Sequence, residues 1–173
     1  MVVLGAGLLA RHVVALPSPA SAKLGPMLGA LRTPAEQGQW LAVHVLYDDC
    51  RCSNRIADHL VQTTRPGEWS EMVLWAGSQQ PPAELDRRFD VRRVSGAELA
   101  ELGIEAAPSM VALDPSNRVV YSGGYTDRKQ GPVIEDRRIL ADARAARPIE
   151  KLPVFGCAVS SRLKTALSTL PTP

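Results

Sequence analysis

Apolar residues gather into a few dense runs along this chain, and the punctuation between them sets out a fold. "WLAVHVLY" (40–47) is a β-rich run without a breaker, bounded by "TPAEQGQ" before it and Asp48-Asp49 after it. A near-continuous apolar run of this length belongs to a strand buried on both faces. After the cysteines that follow, Ile56, Ala57, Leu60 and Val61 fall on one helical face, with Ser53 or Asn54 as the expected N-cap and "TTRPGE" as the stop. "EMVLWAG" (71–77) predicts a second apolar strand, ended by Gly77 and Pro81-Pro82. "PPAELDRRF" predicts a short helix with proline at its start, and "VRRV" (91–94) a short strand.

Downstream the signals sharpen. Ser95 followed three residues later by Glu98 is a capping-box signature, and Gly103 closes that helix. Ser109 to Leu113 and Arg118 to Ser122 read as two strands joined by Asp-Pro-Ser-Asn, a hairpin turn. A helix is expected over 131–146 from Pro132, carrying Val133, Ile134, Ile139 and Leu140. The closing segment places Val159, Leu163, Leu167 and Leu170 at helical spacing. The resulting order is α/β, with a central mixed sheet, a late antiparallel hairpin and flanking helices.

Composition narrows the function classes. At 173 residues the chain fits one domain, or one domain plus a tail. Lys+Arg 20 against Asp+Glu 18 leaves a net charge of +2, and aromatics are 5%, so neither a basic stripe nor a base-stacking platform supports nucleic-acid binding. Three cysteines do not make a disulfide scaffold. No phosphate loop, G-x-S-x-G or H-E-x-x-H is present.

The first 37 residues read as a tail or the remnant of a signal or anchor, residues 38–146 as the main domain, and 147–173 as an extension carrying Cys157 and an amphipathic helix. Val2 to Ala10 is apolar, but Arg11 and His12 interrupt it well short of a bilayer span, while "SPASA" ending at Ala22 is similar to a small-residue cleavage site. A membrane-anchored or exported protein with a longer N-terminus is one expectation, and a first helix packed on the domain is the other.

"YDDCRCSNR" (47–55) concentrates two of the three cysteines at the first strand–helix junction. A redox centre, a thiolate metal site and coincidence all account for it. A helix N-terminus stabilises a thiolate through its free N–H groups and dipole, Arg51 adds a cation, and Asp48 and Asp49 act in the opposite direction. Such a junction is expected to be open to an attacking partner. A Cys-x-Cys bridge forces the backbone away from helical geometry and is the more easily reduced for it. Cys157 follows Gly156 and is expected at the N-terminus of the last helix, from where a folded-back segment brings it to Cys50 and Cys52. In the metal reading these three thiolates hold Cu(I) or Zn, with His44 or His59 recruited. Otherwise His44 is a satisfied core histidine and His59 a surface residue of the first helix. "GGYTDRKQGP" (123–132) reads as a solvated turn, or as a grip on an anion through Arg128 and Lys129, and "EDRRILADARAAR" as a solvated helix face.

Over roughly residues 38 to 146, "LAVHVLYDDCRCS" and "GIEAAPSMVAL" in this order resemble the thioredoxin-like superfamily. The resemblance implies that Cys50 is the nucleophile and that Pro108 is a cis-proline facing it. It also implies that Ala107 and Pro108 hold a substrate strand. In that register Ser53 takes the resolving position, so the motif is C-x-C-S. It is similar to a C-P-C-[ST] variant of some bacterial thioredoxin-like proteins, with Arg51 in place of proline. Serine cannot resolve a mixed disulfide, which leaves that role to Cys52 or Cys157. The implied activity is thiol–disulfide exchange with protein thiols or disulfides and a protein reductant or oxidant, without a cofactor, in the periplasm or another extracytoplasmic space. A non-catalytic adaptor on the same fold is the remaining alternative.

Overall fold

The computed structural model describes residues 15–169. The expectations for residues 1–14 and for Leu170 lie outside the described residues. The chain forms a mixed α/β structure whose five-stranded sheet is flanked by helices. Its strands are β1 (Trp40–Tyr47), β2 (Trp69–Ala76), β3 (Asp90–Val94), β5 (Ser109–Leu113) and β6 (Val119–Gly123). The sheet order is β3-β2-β1-β5-β6. β1 pairs in parallel with β2 and β2 with β3, whereas β5 runs antiparallel to both β1 and β6. Helices are α1 (Leu24–Gly29), α2 (Arg51–Gln62), α3 (Ala83–Arg88), α4 (Gly96–Glu101), α5 (Asp136–Arg144) and α6 (Ser161–Ser168). A small second sheet pairs β4 (Ala106–Ala107) with β7 (Cys157–Ala158).

β1 is apolar throughout because both of its faces are covered. Leu41, Val43 and Val45 pack with Leu24, Leu28 and Leu99 on the side of α1 and α4. Ala42 and Leu46 pack with Ile56, Leu60, Ile139 and Leu140 on the side of α2 and α5. Period-two alternation thus sends successive side chains into two separate cores.

Local signals hold where they are self-contained. Ser95 Oγ accepts from Glu98 N at 3.2 Å while Glu98 Oε2 accepts from Ser95 N at 2.6 Å, completing the capping box of α4. Gly103 ends it at φ +74°. Asp114 Oδ1 accepts from the backbone N–H of Ser116 and Arg118, 2.9 and 3.0 Å away, and so fixes the hairpin turn.

Three boundaries differ from expectation. α2 begins at Arg51 with Cys50 as its N-cap, not at Ser53 or Asn54. Ser53 is fully buried in the first turn, where its hydroxyl accepts from Tyr47 N at 3.0 Å. α5 begins at Asp136 rather than Pro132: Glu135 N is bound to Tyr125 O at 2.9 Å and Arg55 holds the Gly131 carbonyl at 2.7 Å. These tertiary bonds keep 131–135 extended, and Val133 is left 58% exposed. α6 is capped by Ser160, three residues beyond Cys157, and has no buried residue of its own.

The segment expected as a tail is built into the fold from residue 15 onward. Leu24 and Leu28 are fully buried, a contribution of roughly 1.5–3 kcal/mol each. Arg32 donates to Gln39 O at 2.6 Å, Asp114 O at 3.1 Å and Asn117 Oδ1 at 3.0 Å. Leu16 pairs with Val154, and Ser122 Oγ donates to Pro19 O. Cleavage after Ala22 would strip away those last two contacts. The 147–173 extension is integrated in the same way, through buried Leu152, Val154 and Val159. Among the described residues no helix is long and apolar enough to cross a membrane.

Candidate active site

β1 delivers the chain to the sheet end, and Asp48 sets how it turns. Its carboxylate accepts from Asp49 N at 2.6 Å and Gln79 N at 2.7 Å and lies against Gly77, whose lack of a Cβ makes room for it. Cys50 follows with extended backbone angles (φ −136°, ψ 108°), and Asn54 N closes the first turn of α2 on its carbonyl at 3.0 Å. From the opposite side come β4 and Pro108, joined by a cis peptide bond between Ala107 and Pro108. Cys50 Sγ lies 3.7 Å from Ala107 O. β7 then pairs with β4 so that Cys157 stands opposite Ala107. The structure therefore brings together Cys50, Cys52, Cys157, Ala107 and Pro108, which are scattered over more than half the chain.

None of the three cysteines is in a disulfide in this structure. The Cys50 thiol is held well below the ordinary value, first by a hydrogen bond from Cys157 and then by one from Cys52. Burial opposes the shift, and the backbone N–H and hydroxyl of Ser53 assist it. Donating to a thiolate fixes the protons on the donors. Cys52 and Cys157 are accordingly pushed up, by Cys50 first and by burial second; Lys129 and Arg55 partly offset the rise at Cys52, whereas Asp49 adds to it at Cys157. One thiolate shared by two thiols is the electrostatic content of the site.

Access differs from the sequence expectation. Cys50 is only 2% exposed, with the 154–158 segment packed on the adjoining Ala107–Pro108 step, whereas Cys52 is half-buried. Beside Cys52 opens a cleft of ≈ 350 Å³, walled by Arg51, Arg55, Pro108, Tyr125, Gln130 and Phe155. Tyr125 and Gln130 sit in the glycine-flanked loop read as a solvated turn, yet Tyr125 is buried, and Arg55 ties down the loop's far end. An aromatic inside a polar loop was the one signal of that role.

Under Tyr125 lies a buried ionic network. Its hydroxyl is 2.8 Å from His44 Nδ1, and His44 Nε2 is 2.9 Å from Glu71 Oε2. Arg65 Nη2 lies 2.7 Å from both Glu71 Oε2 and Asp136 Oδ2, the second off the line of its N–H. His59 Nε2 is 2.9 Å from Asp136 Oδ1. Burial alone would raise both carboxyls. The His44 and Arg65 contacts instead hold Glu71 below its ordinary value, and the His59 and Arg65 contacts hold Asp136 at about 2. His44 is thus a satisfied core histidine. His59 and Asp136 correct the sequence expectation: both belong to this buried network rather than to solvated helix faces.

Among the described residues no group of three or more histidine, cysteine or carboxylate side chains is arranged to hold a metal ion.

No family model matches the chain, and no curated protein matches it. Solved structures similar to this chain include two of bacterial origin. One is an uncharacterized conserved protein from Geobacillus kaustophilus, at 16% identity and a TM-score of 0.60, covering 71% of this chain and 77% of that one. The other is a hypothetical protein from Sinorhizobium meliloti 1021, at 15% identity and a TM-score of 0.48, covering 85% and 90%. The first has the same overall fold as this chain.

Proposed function

We propose that this protein is a thiol–disulfide oxidoreductase of thioredoxin-like type with Cys50 as its nucleophile. The observation that carries the reading is the convergence on Cys50 of a helix N-terminus, the Ala107–Pro108 backbone and the strand that carries Cys157. The parallel β1–α2–β2 unit followed by the antiparallel β5–β6 hairpin and α5 supports the thioredoxin-like assignment. In the reaction, the Cys50 thiolate attacks one sulfur of a substrate disulfide. A mixed disulfide forms and the first substrate thiolate leaves. A second protein thiol then attacks Cys50 Sγ and releases the other substrate thiolate, leaving an internal disulfide that a dithiol protein partner reduces. Two electrons pass to the substrate in each cycle. The resemblance assigns the substrate strand to Ala107 and Pro108, but Ala107 is buried and paired with β7. The substrate is therefore held in the cleft beside Cys52, which Pro108 helps to wall.

An extracytoplasmic setting completes the proposal; cleavage after Ala22 does not fit it, since residues 16 and 19 are bonded to the domain. Reduction of insulin disulfides by the full chain with a dithiol reductant tests the activity. It is expected for the unmodified protein and absent from Cys50→Ser, and equal rates for the two would overturn the assignment.

A further inference from the structure

The last strand packs on the Ala107–Pro108 step beside the proposed nucleophile. β7 pairs with β4 in antiparallel register, Cys157 opposite Ala107, and the Ala107 carbonyl is the group 3.7 Å from Cys50 Sγ. Gly156 allows this approach: a Cβ there would collide with the Ala107 carbonyl and the Pro108 ring. Both ends of the crossing are pinned. Val154 and Val159 are buried, Leu16 N donates to Val154 O at 2.8 Å, and Val159 N donates to Glu105 O at 2.8 Å. The segment is a strap held to the domain at both ends.

We infer that Cys157, carried on this strap, is the thiol that closes the disulfide on Cys50, and that Cys52 does not. The inference rests on the thiol–disulfide reading above and names the second residue of its redox couple.

Backbone geometry separates the two candidates. Cys50 is the extended N-cap of α2 and Cys52 the second helical residue, so a bridge between them closes a small, strained ring within one turn. A Cys50–Cys52 bridge requires Arg51 and Cys52 to leave helical angles, which breaks the first-turn bond from Asn54 N to Cys50 O. Cys157 comes from another strand, so a bridge to it asks only side-chain adjustment. Its place opposite Ala107, whose carbonyl is 3.7 Å from Cys50 Sγ, sets it beside the nucleophile. In the step itself Cys157 loses its proton to solvent, its sulfur bonds to Cys50 Sγ, and the Cys50–substrate sulfur bond breaks. The substrate leaves as a thiolate that solvent protonates. Cys52 keeps its proton and remains a hydrogen-bond donor on the cleft wall.

The full chain, equilibrated in glutathione buffers of graded potential, quenched in acid, alkylated and digested, shows which bridge forms. A peptide linking Cys50 to Cys157 is expected, with Cys52 alkylated throughout. Cys52→Ser should retain the two-electron transition, while Cys157→Ser should accumulate a glutathione adduct on Cys50. A linked Cys50–Cys52 peptide in the unmodified protein would overturn this inference and leave the proposed function standing. Absence of any bridge and of any adduct on Cys50 would overturn both. Urea unfolding gives an independent readout without a variant. A Cys50–Cys157 bridge closes a loop of about 100 residues and should raise the midpoint markedly on oxidation, whereas a three-residue ring should not. An unchanged midpoint with the bridge formed between Cys50 and Cys52 would count against Cys157.

Discussion

Two clusters of ionisable groups lie inside this protein, and they are built on opposite principles. Around Arg65, each buried charge meets an opposite charge or a ring nitrogen: Glu71 faces His44 and Arg65, and Asp136 faces Arg65 and His59. Around Cys50, a sulfur whose pKa is drawn down meets Cys157, Cys52, Ser53 and the start of a helix, with no cation bonded to it among the described residues. Opposite charges fully paired in a low-dielectric interior have no reason to react, and removing one strands the other. A thiolate held only by hydrogen bonds from thiols retains its nucleophilicity, and its donors are themselves able to replace it in a bond. The first cluster fixes structure; the second is poised for exchange.

The largest test of that contrast is Arg65→Met. It leaves Glu71 and Asp136 buried without their shared cation and should cost about 3–5 kcal/mol in urea unfolding. A loss below about 1 kcal/mol would show that the network is not the fixed structural element described. Acid unfolding comes next. Asp136 is held at about 2 against an ordinary 3.8, so its contribution is complete above pH 3.8 and is lost as the pH falls toward 2. It amounts to on the order of 2 kcal/mol. Asp136→Asn should flatten the stability–pH curve across that window, and an unaltered curve would refute the assignment.

At the thiol site the effects on stability are smaller and those on chemistry larger. Gly156→Ala should cost about 1–3 kcal/mol as the strap is pushed off Ala107, and should speed alkylation of Cys50. An unchanged alkylation rate would mean that the strap does not control access. Cys50→Ser should lower stability near pH 7, because it removes the group whose depressed pKa favours the folded state. It should also abolish the thiolate absorbance near neutrality. The sign follows from the shifts: the depressed Cys50 value adds stability as pH rises toward 9.0, the ordinary thiol value. The raised Cys52 and Cys157 values take stability away above it. Stability of the reduced protein should therefore pass through a maximum near pH 9, and a monotonic curve there would contradict the shared-thiolate description.

Much of the fold was legible in local pattern. The apolar runs at 40–47 and 71–77, the Ser95–Glu98 box and the Asp114 turn depend on neighbours within a few residues, and each formed where its residues lie. Elements whose ends are set by distant partners were misplaced. Ser53 carries the chemistry of a cap, yet its hydroxyl is taken by Tyr47 N, and the α5 start waits for bonds from Tyr125 and Arg55. His59 and Asp136 looked like surface residues because helical periodicity shows which residues share a face and not what that face meets.

By itself the sequence determined that an α/β sheet would form and that two cysteines would stand at its first strand–helix junction, since hydrophobic spacing and turn chemistry are short-range. Tertiary structure alone decided that Cys50 would be buried, that Cys52 would face a cleft, and that Cys157 would come beside the nucleophile from the far end of the chain. Pairing between β4 and β7 joins segments some fifty residues apart, and no local preference encodes it. The two-residue strand at 157–158 is held there by the burial of Val154 and Val159 on either side, and by a glycine small enough to let two backbones meet.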